Sequence, residues 1–308
     1  AEGYYNTGEE KMPNIEDDKL YDELEALEKS SGIILSDSPT QHAGTDVKNN
    51  IAKITHEYPA LSLAKTKDIS LFPKTFAVRD NKAIVMWKED GGTLVATYDN
   101  GKLSSLATRG NGIVGQDITQ NAKYIHGLPL GLPFKTHFVV RGEALMSYKE
   151  FERVNNALPS DVEPYKNPRN LANSTVSLDA EKELEHREIW FHAFKLVYNE
   201  SEYTVTRPRT FYGDMEFLKS LGFETTEHVL CDVSDIESVI REMSDSVSKY
   251  AFPVDGLVVA ANDVEYAEAQ PGTGKNPNRL VGFALKWQDE TVETVFRKIE
   301  WSPSRTGL

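Results

Sequence analysis

Between Asp17 and Glu28 the run DDKLYDELEALE sets Leu20, Leu24 and Leu27 four and three positions apart, the apolar stripe of an amphipathic helix. Acidic residues near its start suit the positive end of the helix dipole. The following SSGIILSDSPTQHAG is rich in Ser, Gly and Pro. It predicts a connection that closes a small helical N-terminal unit near residue 45.

Beyond that point the period changes. KAIVMWK, TLVATYD and KLSSLAT are short, rich in β-branched or aromatic residues and separated by Gly-containing turns, which predicts strands. Asp99-Asn100-Gly101 between two of them predicts a hairpin, because a tight primed turn needs positive φ and Asn or Gly supplies it at low cost. HFVVRGEAL, IWFHAFKLV, DGLVVAAN and VGFALKW predict further strands, and helical spacing recurs at 148–155, 210–221 and 235–246. Strands and helices mix without the alternation of a doubly wound sheet. The pattern predicts an α+β architecture with largely antiparallel pairing.

Composition narrows the class of protein. The chain of 308 residues is 39% hydrophobic and 27% charged, and no apolar run approaches the roughly 20 residues needed to span a bilayer. Nothing near the N-terminus reads as a secretion or import signal, so a soluble, cytoplasmic protein with no membrane partner is expected, most simply as a monomer. A single cysteine, Cys231, excludes an intrachain disulfide and a cysteine-cluster zinc site. The net charge of −14 is unsuited to gripping duplex DNA unaided, since DNA-binding surfaces gather Lys and Arg against the phosphates. Any nucleic-acid contact would need a local basic cleft and help from further domains. The final WSPSRTGL suggests a chain ending in a linker.

Lys88 ends the apolar strand KAIVMW and is followed by Asp90 and a glycine pair. A lysine so placed can act as a nucleophile if desolvation or nearby positive charge lets its amine shed a proton. Alone, WKEDGG equally describes a solvated lysine before a turn. Other elements follow in order: Thr108-Arg109-Gly110, Arg141-Gly142-Glu143, Asp255-Gly256-Leu257-Val258 and Lys286-Trp287. The Gly272-Thr-Gly-Lys275 stretch lacks the phosphate-loop spacing and reads as a surface turn.

That order resembles the covalent nucleotidyltransferases: DNA ligases, RNA ligases and capping enzymes. Asp37-Ser-Pro-Thr-Gln41, His56-Glu-Tyr-Pro with Leu61-Ser62-Leu63, Ala107-Thr-Arg-Gly-Asn-Gly112 with Gly115-Gln-Asp-Ile-Thr119, and Asn167-Pro-Arg-Asn170 are similar to the adenylation region of NAD-dependent DNA ligases in particular. The resemblance covers essentially the whole chain. It implies a nucleotidyltransferase domain over about residues 46–300, an ATP-grasp-like covalent ligase fold of antiparallel sheets. A nicotinamide-binding helical subdomain would precede it at 1–45, and 301–308 would begin a linker to an oligonucleotide-binding fold. Lys88 would attack the α-phosphate of NAD, release nicotinamide mononucleotide and carry AMP, the first step in sealing nicks during DNA replication and repair. The resemblance assigns Asp90, Arg109 and Glu143 to the ribose or to metal-dependent chemistry, Asp255 with Glu143 to Mg2+, and Lys286 to the α-phosphate. Ser62, Leu63, Phe194 and Val258 would surround adenine, and Tyr4, Tyr5, Asp18, Tyr21 and Asp22 would grip the nicotinamide half. Phosphoryl-type transfer rests on positioning and charge neutralisation, and magnesium is the hard cation suited to its oxygens.

Each assignment has a plainer reading. Leu63, Phe194 and Val258 also suit a core, and Asp18 and Asp22 suit a solvated helix face. The chain also departs from the family pattern. Met86 stands where the family has an adenine-contacting glutamate, Ala260 where it has a lysine, and Asn170-Leu-Ala-Asn-Ser-Thr where it has a run richer in Ala and Gly. The register around Asp17 and Asp18 also differs, and the helix usual before Tyr4 is missing. A non-catalytic adenylate-binding module and an ATP-dependent ligase or capping-type enzyme are the rival expectations.

Overall fold

A computed structural model of the chain describes residues 52–177, 184–199, 209–273 and 276–287, together with Glu23, Leu24, Leu27 and Ser30. These four positions are helical, as the leucine spacing requires. Tyr4, Tyr5, Asp18, Tyr21 and Asp22 lie outside the described residues, as do the stretch after residue 287 and Lys275.

In chain order the described elements begin with β1 (Lys53–Thr55), β2 (Ala64–Thr66), α1 (Leu71–Phe76), β3 (Lys82–Glu89), β4 (Gly92–Asp99), β5 (Lys102–Thr108), β6 (Val114–Gln116) and β7 (Ile125–His126). They continue with β8 (Phe138–Leu145), α2 (Tyr148–Asn156), α3 (Pro168–Val176), β9 (Ile189–Asn199), α4 (Phe211–Ser220), β10 (His228–Asp232), α5 (Ile236–Ser246), β11 (Val254–Ala261), α6 (Val264–Ala269) and β12 (Phe283–Lys286). Two five-stranded sheets, ordered β10-β3-β11-β12-β2 and β5-β4-β8-β9-β7, accompany a two-stranded β1-β6 pair. Among the described strands only β12 with β2 and β7 with β9 run parallel, so the expected antiparallel α+β architecture is borne out.

Local chemistry sets the boundaries. The β4–β5 hairpin turns through Asn100 and Gly101 at φ 51° and 75°, the positive pair a primed turn demands. Ser147, Asn167 and Thr210 each accept a backbone N–H at the start of α2, α3 and α4, satisfying amides that the first helical turn leaves unbonded. Two short strands, β1 and β6, pair with each other and were not legible as strands, being too brief to show a period.

Alternation along β3 sorts its side chains between two cores. Ala83, Val85 and Trp87 join Leu257 and Val259 of β11 and the apolar residues of α1 and α5. Ile84 and Met86 join Val258 and Ala260 in a second cluster shared with Leu94, Ala96 and Tyr98 of the other sheet and with α3 and α4. The segment Asp90-Gly91 is not a hairpin turn, because β3 and β4 belong to different sheets. It carries the chain from one sheet to the other, which places Lys88 at the junction.

Candidate active site

Lys88 projects from the last turn of the pleat in β3 on the same face as Met86. It meets Asp255: its Nζ donates to Oδ1 at 2.6 Å, with the two side chains only 24% and 26% exposed. The partner arrives through a backbone irregularity. β11 pairs with β3 as Val254↔Glu89 and Gly256↔Lys88, with a shift between Val254 and Gly256 that leaves Asp255 out of the ladder. Such a bulge re-aims a side chain, here onto the lysine. Lys286, opposite Gly256 on β12, lies 3.8 Å from the other oxygen of the same carboxylate. A side chain on Gly256 has no room, since a Cβ there would lie 2.0 Å from the carbonyl oxygen of Leu285.

The opposite wall belongs to β4 and β8. Glu143 accepts from the Thr93 hydroxyl at 2.9 Å and from the Gly91 N–H at 3.3 Å. Burial pushes its carboxyl up to about 7, against the opposing pull of Arg169, the Thr93 bond, Lys88 and Arg109. Lys88 and Arg109 therefore share the electrostatic neighbourhood of Glu143. Arg109 follows β5, donates to the Ser62 hydroxyl at 3.3 Å, and has its carbonyl held by His56 Nε2 at 3.0 Å. Asn276 Nδ2 donates to the Ser62 carbonyl at 2.7 Å, fixing the segment that carries Ser62 and Leu63. Leu63 and Phe194 are partly buried against the cluster that holds Met86 and Val258. Their placement thus joins the apolar side of the cleft to the core.

Asp90 is held by Arg169, whose Nη1 donates at 2.5 Å. Arg169 sits in the first turn of α3, within the Asn167-Pro-Arg-Asn170 run. The signal that could have found it is an arginine fixed immediately after Pro168 at a capped helix start. Thr93 gave no sequence signal at all, since a threonine in a strand is ordinary. Tyr148 also borders Asp90: burial first and the Asp90 charge second push its hydroxyl up.

The departures from the family pattern now have physical surroundings. Met86 is 6% exposed, opposite His228 and Val258, and Ala260 is fully buried in the core cluster. Neither position presents a charge to the cleft. Asn173 fills the space above Gly92, where a Cβ would lie 1.8 Å from Asn173 Oδ1, and its amide donates to the Gly91 carbonyl at 3.5 Å. Among the described residues no three His, Cys, Asp or Glu side chains gather as a metal site. Glu143 and Asp255 are a pair of carboxylates, engaged here by Thr93 and Lys88, and a magnesium ion commonly takes one or two carboxylates together with substrate phosphates. No helix among the described residues is long and apolar enough to cross a membrane.

Comparison with known proteins shows the family to which the sequence belongs. The sequence model of the NAD-dependent DNA ligase adenylation domain matches residues 48–289. The DNA ligase of Ruminiclostridium cellulolyticum is 40% identical over 308 residues, covering 100% of this chain and 46% of that protein. That of Lachnoclostridium phytofermentans is 40% identical over 309 residues, with the same 100% and 46% coverage. The DNA ligase of Halothermothrix orenii is 31% identical over 314 residues, covering 99% and 46%. Among solved structures, an archaeal ATP-dependent RNA ligase matches 78% of this chain and 50% of its own at a TM-score of 0.41 and 14% identity, too slight a likeness to bear on the site. By sequence the chain is an adenylation domain. It belongs to the family of NAD-dependent DNA ligase adenylation domains and spans about half the length of the curated relatives it matches.

Proposed function

We propose that this chain performs the self-adenylation half-reaction of an NAD-dependent DNA ligase. The observation that supports this most directly is the 2.6 Å contact between Lys88 Nζ and Asp255, beside Lys286 and across from Glu143. The Lys88 ammonium gives one proton to Asp255 and, as the free amine, attacks the α-phosphorus of NAD, its second proton passing to the departing nicotinamide mononucleotide. The bond from that phosphorus to the bridging oxygen breaks, nicotinamide mononucleotide leaves with the bond's electron pair, and a lysyl-AMP phosphoramidate remains. Lys286 and Arg109 are the cations placed to offset charge on the transferring phosphate and to hold the nucleotide. Asp90 and Glu143 address the ribose side. Ser62, Leu63, Phe194 and Val258 form the adenine side. Glu143 and Asp255 are the carboxylates that would hold magnesium together with the dinucleotide's phosphates, where the ion would offset phosphate charge.

In this reading residues 1–45 form the helical nicotinamide-binding unit through Tyr4, Tyr5, Asp18, Tyr21 and Asp22, since aromatic faces and carboxylates suit a cationic pyridinium. Residues 46–300 form the nucleotidyltransferase domain, and 301–308 lead to domains that supply most contacts to nicked duplex DNA. AMP then passes to a 5′-phosphate and a 3′-hydroxyl displaces it. The net charge of −14 accords with weak DNA binding by this chain alone.

A second reading, an adenylate-binding module without covalent chemistry, is favoured by the uncharged surroundings of Met86 and Ala260. Intact-mass analysis after incubation with NAD and magnesium separates the two. A gain of one AMP by the natural chain and none by Lys88→Ala supports the first. Retention of NAD without a mass gain by either supports the second, and a gain from ATP but not NAD identifies an ATP-dependent enzyme.

A further inference from the structure

Directly behind Lys88 lies a polar cluster that the proposed chemistry does not use. Glu89, the next residue of β3, points away from the cleft and its side chain is 2% exposed. Three donors converge on its carboxylate: His192 Nδ1 at 2.6 Å and the Tyr250 hydroxyl at 2.5 Å on one oxygen, and the Thr226 hydroxyl at 2.8 Å on the other. Burial, and then the Glu89 charge, push the Tyr250 hydroxyl up, keeping it a donor. Trp87 and Phe252 wall the cluster, with ring centroids 5.1 Å from Tyr250 and 4.7 Å from His192. A buried carboxylate is tolerated only when paired and hydrogen-bonded, so these partners are bound tightly to one another.

The partners come from each segment that sets the cleft. His192 lies on β9 opposite Glu143 of β8. Thr226 precedes β10 and bonds through its N–H to the Ala193 carbonyl at 3.0 Å. Tyr250 opens the segment whose Ala251 and Pro253 carbonyls accept from Tyr148 and Asp90 N–H groups at 3.0 and 2.8 Å. That segment leads straight into the bulge carrying Asp255.

We propose that Glu89 is a positioning residue: its carboxylate clamps His192, Thr226 and Tyr250 so that the β11 bulge delivers Asp255 onto Lys88. This rests on the self-adenylation reading for its kinetic consequence but not for its geometry. A misplacement of about 1 Å near reacting atoms can cost on the order of a hundredfold in rate, so a loosened clamp acts on turnover rather than on dinucleotide capture.

The test is single-turnover lysyl-AMP formation, followed by intact mass over a range of NAD concentrations, in Glu89→Gln and in the milder Tyr250→Phe. The expected result is about tenfold slower adenylation for the first and about threefold for the second, with half-saturating NAD shifted less than about threefold. In an Asp255→Asn background the Glu89→Gln factor should shrink toward one, because the effect runs through Asp255. An equal factor in both backgrounds overturns the proposal, as does a natural rate in both single variants. If Glu89→Gln does not fold, Tyr250→Phe carries the same test. If the natural chain takes up no AMP, the self-adenylation reading fails, and the clamp is judged by 1H–15N spectra of Tyr250→Phe. Displaced amide resonances of Asp255 and Gly256 support it, and unmoved ones overturn it.

Discussion

The Lys88 ammonium and the Asp255 carboxylate are 167 positions apart in the chain and 2.6 Å apart in space. Two neighbouring strands and one bulge produce that contact. If Asp255 receives the lysine proton as the amine attacks, Asp255→Asn should slow lysyl-AMP formation by about a hundredfold, while NAD binding followed by calorimetry changes little. An undiminished single-turnover rate in this variant would remove Asp255 from the reaction.

Arg169 and Asp90 form a separate ion pair of the cleft, each side chain 27% exposed. Partial exposure screens such a pair, so its contribution to stability is held to about 1 kcal/mol or less. Its effect should appear in substrate binding instead. Arg169→Ala and Asp90→Ala are expected each to raise the NAD concentration for half-maximal adenylation by about tenfold, and the double variant by far less than the product. Additive losses in this cycle would mean the two residues act separately.

Glu143 gives the site a pH signature in the chain without ligand. The folded chain holds this proton up to about pH 7, whereas the carboxyl's ordinary value is 4.5, so stability falls as pH rises between those values. Below that window both folded and unfolded forms are protonated and nothing is lost. Above it the penalty is complete, on the order of 3 kcal/mol. Glu143→Gln, which keeps the neutral shape, should raise the urea midpoint at about pH 8 and leave it unchanged at about pH 4. A midpoint that drops at the higher pH contradicts the assignment.

Gly256 tests the packing that sets Lys88 of β3 and Lys286 of β12 on either side of β11. Because a Cβ would meet the Leu285 carbonyl at 2.0 Å, Gly256→Ala must part β11 from β12 or shift the bulge. A loss of about 2 to 3 kcal/mol in urea denaturation is expected, together with slower adenylation. Natural stability in this variant would show that the two strands separate freely.

Much of this was readable before any coordinates. The alternation in KAIVMWK gave a strand that the structure extends only to Glu89, and the expected helices at 148–155, 210–221 and 235–246 appear within one or two residues of their ends. Long periodic segments are legible because burial of one face repeats with the backbone's own geometry. Lys88, Asp90, Arg109, Glu143, Asp255 and Lys286 are legible through the resemblance that their motif order carries, and the fold gathers them around one junction. Arg169 and Glu89 were passed over, because neither residue's neighbours in sequence are its neighbours in space.

The sequence by itself determined where strands and helices form, which face of each is apolar, that Asn100-Gly101 turns tightly, and which family the motif order resembles. Only the tertiary structure decided that Asp90-Gly91 crosses between sheets, that a bulge turns Asp255 onto Lys88, and that Glu89 is roofed by His192, Thr226 and Tyr250. The physical reason is that propensity and periodicity act over a few residues. Strand partners, by contrast, are selected by burial of whole faces across the chain, and a one-residue slip in register would send every one of these side chains to the opposite face.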